Sequence, residues 1–238
     1  INQFGTNTKL GNGEWMVIEA DESDGTFVKL PSTISVVTNI DHEHLDYYKS
    51  FSNLKSHFKH FLTQVPFYGF AVVCIDDKVT RKLANSVTST KLIKYGFHKS
   101  SDVCASNIYY LKDKVRFDVF FKKTKKLIRD ITLPLFGDYN VRNSLAAIAI
   151  CANLNVPDKI IKQSLSKYKG VERRLTKLWS SKKITIIDDY AHHPTEIENV
   201  LLGLKKSYKK TKMVCIFQPH RFSRMLNLKT QFTKCFKS

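Results

Sequence analysis

An α/β fold is predicted for this chain: a mostly parallel sheet with an antiparallel meander beside it, followed by part of a Rossmann-like α/β domain. Three observations predict it. Strand-like runs end repeatedly in polar turns and pass into helical patterns. Residues 103–133 then change to short alternating segments, and a fresh strand-to-helix series begins after Gly170. With 238 residues, 42% of them apolar, the chain is long enough to bury a sizeable core in one or two domains.

Taken in order, "WMVIEA" (15–20) and "TISVVTNI" (33–40) read as strands of β-branched and apolar residues. "SFSNLKSHFKHFL" (50–62) places Phe51, Leu54, Phe58, Phe61 and Leu62 at helical spacing, and "FAVVCID" (70–76) returns to a strand. "NIYYL", "VRFDVFF" and "KLIRDITL" are the three segments of the meander. Helices resume at "DYNVRNSLAAIAICANLN" (138–155) and after Pro157. A boundary is expected within "KYKGVERR" (167–174), where Gly170 ends a helix, so the expected domains are 1–172 and 173–238. In the second, "KKITIIDDY" (182–190) reads as a strand, Pro194 as a first helical residue, and Ile197, Val200, Leu201 and Leu204 as one apolar face. "KMVCIF" (212–217) is the next expected strand.

The net charge of +18 raises the possibility of a nucleic-acid partner, but its make-up argues against one. Lysines number 31 and arginines only 8, whereas bidentate recognition of bases and phosphates favours arginine. The blocks "KKTKK" (122–126) and "KKSYKK" (205–210) are read as solvated faces. The longest apolar run, "LAAIAICANL" (145–154), is about half of the roughly 20 residues that span a membrane, and residues 1–15 lack a signal-peptide pattern. The five cysteines are widely spaced without a C-x-x-C pair, which fits reduced thiols in a cytoplasmic protein.

Four expected strands finish in charged clusters. The first ends in Glu19, Asp21, Glu22 and Asp24, and the second in Asp41, His42, His44 and Asp46. The third ends in "DDYAHHP" (188–194), and the fourth in His220, Arg221 and Arg224. One polar turn is a solvated loop; four at strand carboxyl ends point to a ligand site in an open parallel sheet. Carboxylates with an imidazole suit a hard divalent cation near phosphate. Zinc is the rival, although no Cys or His pair has the short spacing of a structural zinc site. Arg173, Arg174, Arg221 and Arg224 offer guanidinium forks for phosphate or carboxylate, with surface ion pairs as the alternative for Arg173 and Arg174. Asn140 and Asn143 share a helix face and could meet an adenine edge, with a helix cap as the alternative for Asn140.

Six blocks then carry a resemblance: "EADESDGTF", "VVTNIDHEHLDYY", "GDYNVRNSLAA", "GVERRL", "DDYAHHPTE" and "FQPHRFSR". In that order they resemble the signature blocks of the Mur ligases, and are most similar to the branch that adds L-alanine to UDP-N-acetylmuramate. The resemblance implies ATP-dependent amide formation through an acyl phosphate, in the cytoplasmic steps of bacterial cell-wall synthesis, with ATP and Mg2+ as cofactors. Glu19 and His44 resemble the Mg2+ ligands, Asn140 and Asn143 the adenine contacts, Arg174 the arginine near the ATP phosphates, and Asp189 the acid reaching ATP from the last domain. Tyr190, His192, Arg221 and Arg224 resemble residues facing the muramyl substrate and the amino acid. No membrane or nucleic-acid partner is implied.

The chain departs from the family at its ends. No G-x-x-x-x-G-K-S/T phosphate loop occurs in the 238 residues. The family's UDP-gripping amino-terminal domain has no counterpart either, and "FTKCFKS" stops within the last domain. The chain is therefore expected to be an internal portion of a longer ligase, inactive alone. The alternatives are a related ligase that recycles murein peptides, which shares "DDYAHHP", and, from a different class, a basic nucleic-acid-binding module.

Overall fold

A computed structural model describes residue 2 and residues 5–237. After a 3-10 turn at Thr26–Lys29 come β1 (Ile34–Val37), α1 (Leu45–Tyr48), α2 (Phe51–Thr63), β2 (Phe70–Cys74), α3 (Lys78–Ser86) and β3 (Leu92–Gly96). The meander follows as β4 (Val103–Leu111), β5 (Lys114–Phe121) and β6 (Lys126–Leu133). Next are α4 (Asp138–Asn153), α5 (Asp158–Ser166), β7 (Thr176–Ser180), β8 (Thr185–Asp188), α6 (Pro194–Ser207), α7 (Phe222–Asn227) and α8 (Lys229–Cys235).

The strands β1 to β6 form one sheet in sequence order. Pairing is parallel from β1 through β4 and antiparallel from β4 through β6, as the change of pattern at residue 103 predicts. All five residues of β2 are buried, because helices cover both faces of the parallel part. Alternation then divides them: Phe70, Val72 and Cys74 pack with α4 through Val141, Leu145, Ile148 and Ala149, while Ala71 and Val73 pack with Leu54, Phe61 and Leu62 of α2 and Leu83 of α3.

Helix starts follow local chemistry. Ser50 caps α2 by accepting the Asn53 N–H, and Asp77 caps α3 by accepting those of Val79 and Thr80. Gly137, at φ 93, turns the chain into α4. At α6 the cap is His193, whose Nδ1 accepts the Thr195 N–H, while Glu196 reaches back to the His193 N–H and Pro194 opens the helix. The α6 face packs on α8 through Ile197, Leu201, Leu228, Phe232 and Cys235. Among the described residues no helix is long and apolar enough to cross a membrane.

Two expected strands do not form. Residues 15–20 and 212–217 carry strand composition, yet neither pairs with a strand among the described residues, and Val17 and Ile216 are 95% and 96% exposed. A strand needs a hydrogen-bonding ladder. β1 pairs only with β2, and β8 pairs only with β7, antiparallel, so the second series is a hairpin followed by helices.

Candidate active site

The turn after β1 delivers the acid and histidine cluster. His44 adopts φ 55 and leads into α1. Its Nε2 lies 3.3 Å from Glu22 Oε1 and 3.8 Å from Glu43 Oε2. Ligand atoms of Glu22, Glu43 and His44 all fall within 4.8 Å of one another, close enough to share one cation. Glu19 is not brought into this group: it stands exposed on the segment whose strand does not form. Glu22, three residues on and held by the turn before Thr26–Lys29, takes the place beside His44.

The second half of the chain closes onto this turn. Arg224, on α7, brings Nη2 to 3.3 Å from Glu43 Oε1 and is itself only 9% exposed. The pair is an ionic approach without hydrogen-bond geometry, since Glu43 Oε1 is buried and accepts no hydrogen bond. Thr195 Oγ1 donates to Asp41 Oδ2 at 2.7 Å, and buried His193 lies 3.8 Å from the same oxygen. Burial opposes ionisation of Asp41, but the Thr195 hydroxyl, the His42 N–H and the neighbouring histidine charges outweigh it and hold the carboxyl below its usual range. Together His42, Glu43, His44, Asp46, Arg221 and Arg224 line a cleft of about 200 Å³. Arg221, at φ 64, is the residue from which α7 starts.

A second set gathers at the loop after β8. Asp189 accepts the Leu175 N–H at 2.9 Å and the Ala191 N–H at 2.8 Å, yet burial dominates and raises its carboxyl. Glu196 is half-buried, which opposes its ionisation, but backbone donation from His192 and His193, with the His192 and Arg174 charges, lowers it. Arg174 Nη1 stands 3.7 Å from Glu196 Oε1, and the Arg173 guanidinium lies 4.8 Å over the Tyr190 ring. His192 meets the Tyr190 and His220 rings edge-on at 5.1 and 5.8 Å, so His192 links this loop to the segment that carries Arg221 and Arg224. Asn140 donates its amide to Phe136 O at 2.8 Å, and Asn143 is exposed on the next turn of α4. The cap of that helix is Gly137, not Asn140.

The structure thus brings His44, Arg221 and Arg224 to one cleft, and gathers Asp189, Tyr190 and His192 of the neighbouring loop near Arg174 from the turn before β7. Sequence reasoning did not single out Glu43 or Asp41's contact with Thr195. Both depend on a tertiary approach between segments more than 150 residues apart, for which the sequence carries no periodic signal.

Residues 2–151 match the Mur ligase middle domain, and residues 173–236 match the Mur ligase glutamate ligase domain. A "UDP-N-acetylmuramate--L-alanine ligase" of Bartonella bacilliformis is 46% identical over 99% of this chain and 50% of its own length. The enzyme of that name from Pelagibacter ubique is 42% identical over 100% of this chain and 52% of its own. Among solved structures, the UDP-N-acetylmuramate-alanine ligase MurC of Thermotoga maritima superposes with a TM-score of 0.71 at 27% identity, covering 88% of this chain and 46% of that one. The chain spans about half the length of the curated relatives it matches. With two domain matches in the expected order and the fold to go with them, the chain belongs to the Mur ligase family.

Proposed function

We propose that this chain is the central and following part of a ligase that uses ATP to join L-alanine to the carboxylate of UDP-N-acetylmuramate, in the cytoplasmic stage of peptidoglycan precursor synthesis. Residues 1–172 are then the central ATP-binding portion and 173–238 the beginning of the last domain. One observation carries the reading: acids and a histidine from the turn after β1 share a cleft with Arg221 and Arg224 from the far end of the chain. The names of relatives that match nearly all of this chain support the same reaction.

The chemistry makes definite demands. Activating a carboxylate by phosphoryl transfer builds negative charge on the transferring group, and that charge needs a cation and guanidinium groups rather than a covalent protein nucleophile. Two carboxylates leave room for water and phosphate oxygens around Mg2+, and Glu22 and Glu43 supply two, with His44 as a third donor. Glu43 turns Oε2 toward His44 and Oε1 toward Arg224, so one carboxylate fits between a cation and the guanidinium. A bound Mg2+ would neutralise phosphate charge there.

The other roles belong to this chain's side chains. Arg221 and Arg224 orient anionic oxygens with planar forks. Asn140, Asn143, Arg174 and Asp189 act on the ATP side, and Tyr190 and His192 face the muramyl group and the amino acid. Thr195 and Asp41 hold the two portions together, which positions reacting groups and excludes the water that would hydrolyse an activated carboxylate.

The test follows phosphate release by the full-length protein with ATP, UDP-N-acetylmuramate and each of several amino acids. Release should require the muramyl nucleotide and be fastest with L-alanine. Release independent of the muramyl nucleotide would defeat the assignment, and preference for a preformed peptide would move it to the recycling branch.

A further inference from the structure

We propose that the groove between α2 and α3 binds a short oligophosphate chain, at a site separate from the cleft described above. The groove has a cavity volume of about 460 Å³. That lies within the roughly 300–1,000 Å³ typical of small-molecule sites. Lys55 and Lys59 stand on its α2 wall and Lys78 and Lys82 on its α3 wall, each pair four residues apart and so on one helix face. Ser52 and Ser56 add hydroxyl donors, Ser86 gives its own to Leu83 O at 2.8 Å, and Val79, Leu83 and the lysine stems make most of the wall apolar.

No carboxylate lines this groove, and among the described residues none pairs with any of the four lysines. Three lysines elsewhere on the surface do meet an acid. Lys126 sits 2.6 Å from Asp158, Lys177 2.7 Å from Asp113, and Lys206 2.6 Å from Asp138. Like charges at this spacing cost a helix stability, and here two such pairs face each other. A ligand that carries several negative charges removes that repulsion, whereas a monoanion leaves most of it.

The donors also narrow the ligand. Ammonium groups bind phosphate as point charges without a fixed fork. The lining offers no amide or aromatic ring to read a base, and the short groove contrasts with the long charged track of a nucleic-acid surface. The shared chemistry is a phosphoanhydride chain, free or as the triphosphate of a nucleotide.

The full-length protein can be titrated with inorganic tripolyphosphate near physiological salt, with lysine acylation read by mass spectrometry and affinity by calorimetry. Saturable binding should protect Lys55, Lys59, Lys78 and Lys82 selectively. The double variant Lys59→Glu/Lys82→Glu, at exposed positions, should keep its circular dichroism and bind at least about tenfold more weakly. Competition by ATP at equal affinity would identify a nucleotide triphosphate as the source, and failure of ATP to compete would identify free oligophosphate. Protection spread over lysines outside the groove, unchanged affinity in the double variant, or equal binding of orthophosphate would overturn the proposal. A single-stranded oligonucleotide that displaced tripolyphosphate at the same phosphate concentration would also overturn it, in favour of a polymer surface.

Discussion

Thr195→Val removes the hydroxyl that joins α6 to the turn after β1 while keeping the side chain's shape. Thr195 Oγ1 donates to Asp41 Oδ2 at 2.7 Å. A hydrogen bond to a charged acceptor contributes about 1.5–3 kcal/mol. Asp41 is 33% exposed, so water recovers part of that on removal, and the expected loss is about 1 kcal/mol. The pH dependence follows from the lowered Asp41 carboxyl. A depressed folded pKa gives stability that is present above the unfolded value of 3.8 and disappears as pH falls through the folded value. Urea unfolding of wild type and variant should therefore show a constant gap between about pH 5 and 8, narrowing only below about pH 4. No gap at neutral pH would refute the latch. A gap that changed between about pH 5 and 8 would show that Asp41 is not the group that carries it.

Replacing Glu22 with Gln should weaken Mn2+ binding, read by electron paramagnetic resonance, by about tenfold or more, while Glu19→Gln should change it far less. The reverse order would mean that Glu19 moves to His44 when the cation binds. Asp189→Asn should gain stability relative to wild type as pH rises from about 4 to 7. Burial raises this carboxyl, so the native state is favoured below the unfolded pKa and that advantage is lost as pH climbs through the raised value. A relative stability that does not move with pH would refute it. A Cβ on Gly69 would stand 2.0 Å from the Thr33 carbonyl oxygen, so Gly69→Ala should separate the starts of β1 and β2. It should cost about 1–3 kcal/mol in thermal or urea unfolding, and an unchanged midpoint would contradict that geometry.

Five of the six strands of the central sheet were legible because period and composition agreed, whereas β3, "LIKYG", was not read as one. "FAVVCID" is apolar at every position through Ile75, as a strand covered on both faces must be, and "NIYYL", "VRFDVFF" and "KLIRDITL" alternate as meander strands do. Pro194 announced α6, although its cap proved to be His193, a residue type with little capping preference. α3 was not anticipated, even though Asp77 is a standard cap and Thr80, Leu83 and Ala84 share its buried face. Lysines scattered through it hid the pattern. Residues 15–20 and 212–217 failed for the opposite reason: strand composition states a preference for a pleated surface, but only a neighbouring ladder makes a strand. The same limit governs the site. His44, Arg221 and Arg224 were readable as polar residues after strand-like runs, whereas Glu43's approach to Arg224 depends on how two distant segments pack.

Arg221 lines the cleft from the far end of the chain and is exposed enough for replacement to leave the fold intact. If its planar fork holds a substrate carboxylate or the charge of phosphoryl transfer, lysine cannot replace it. In the full-length protein Arg221→Lys should lower kcat/KM for muramyl ligation by at least about tenfold, a loss of about 1.4 kcal/mol in transition-state stabilisation. The melting temperature should stay within the range of a surface change, about 0.5 kcal/mol. A kcat/KM within about twofold of wild type, with the fold unchanged, would contradict the claim that both portions of the chain meet at this cleft to carry the reaction.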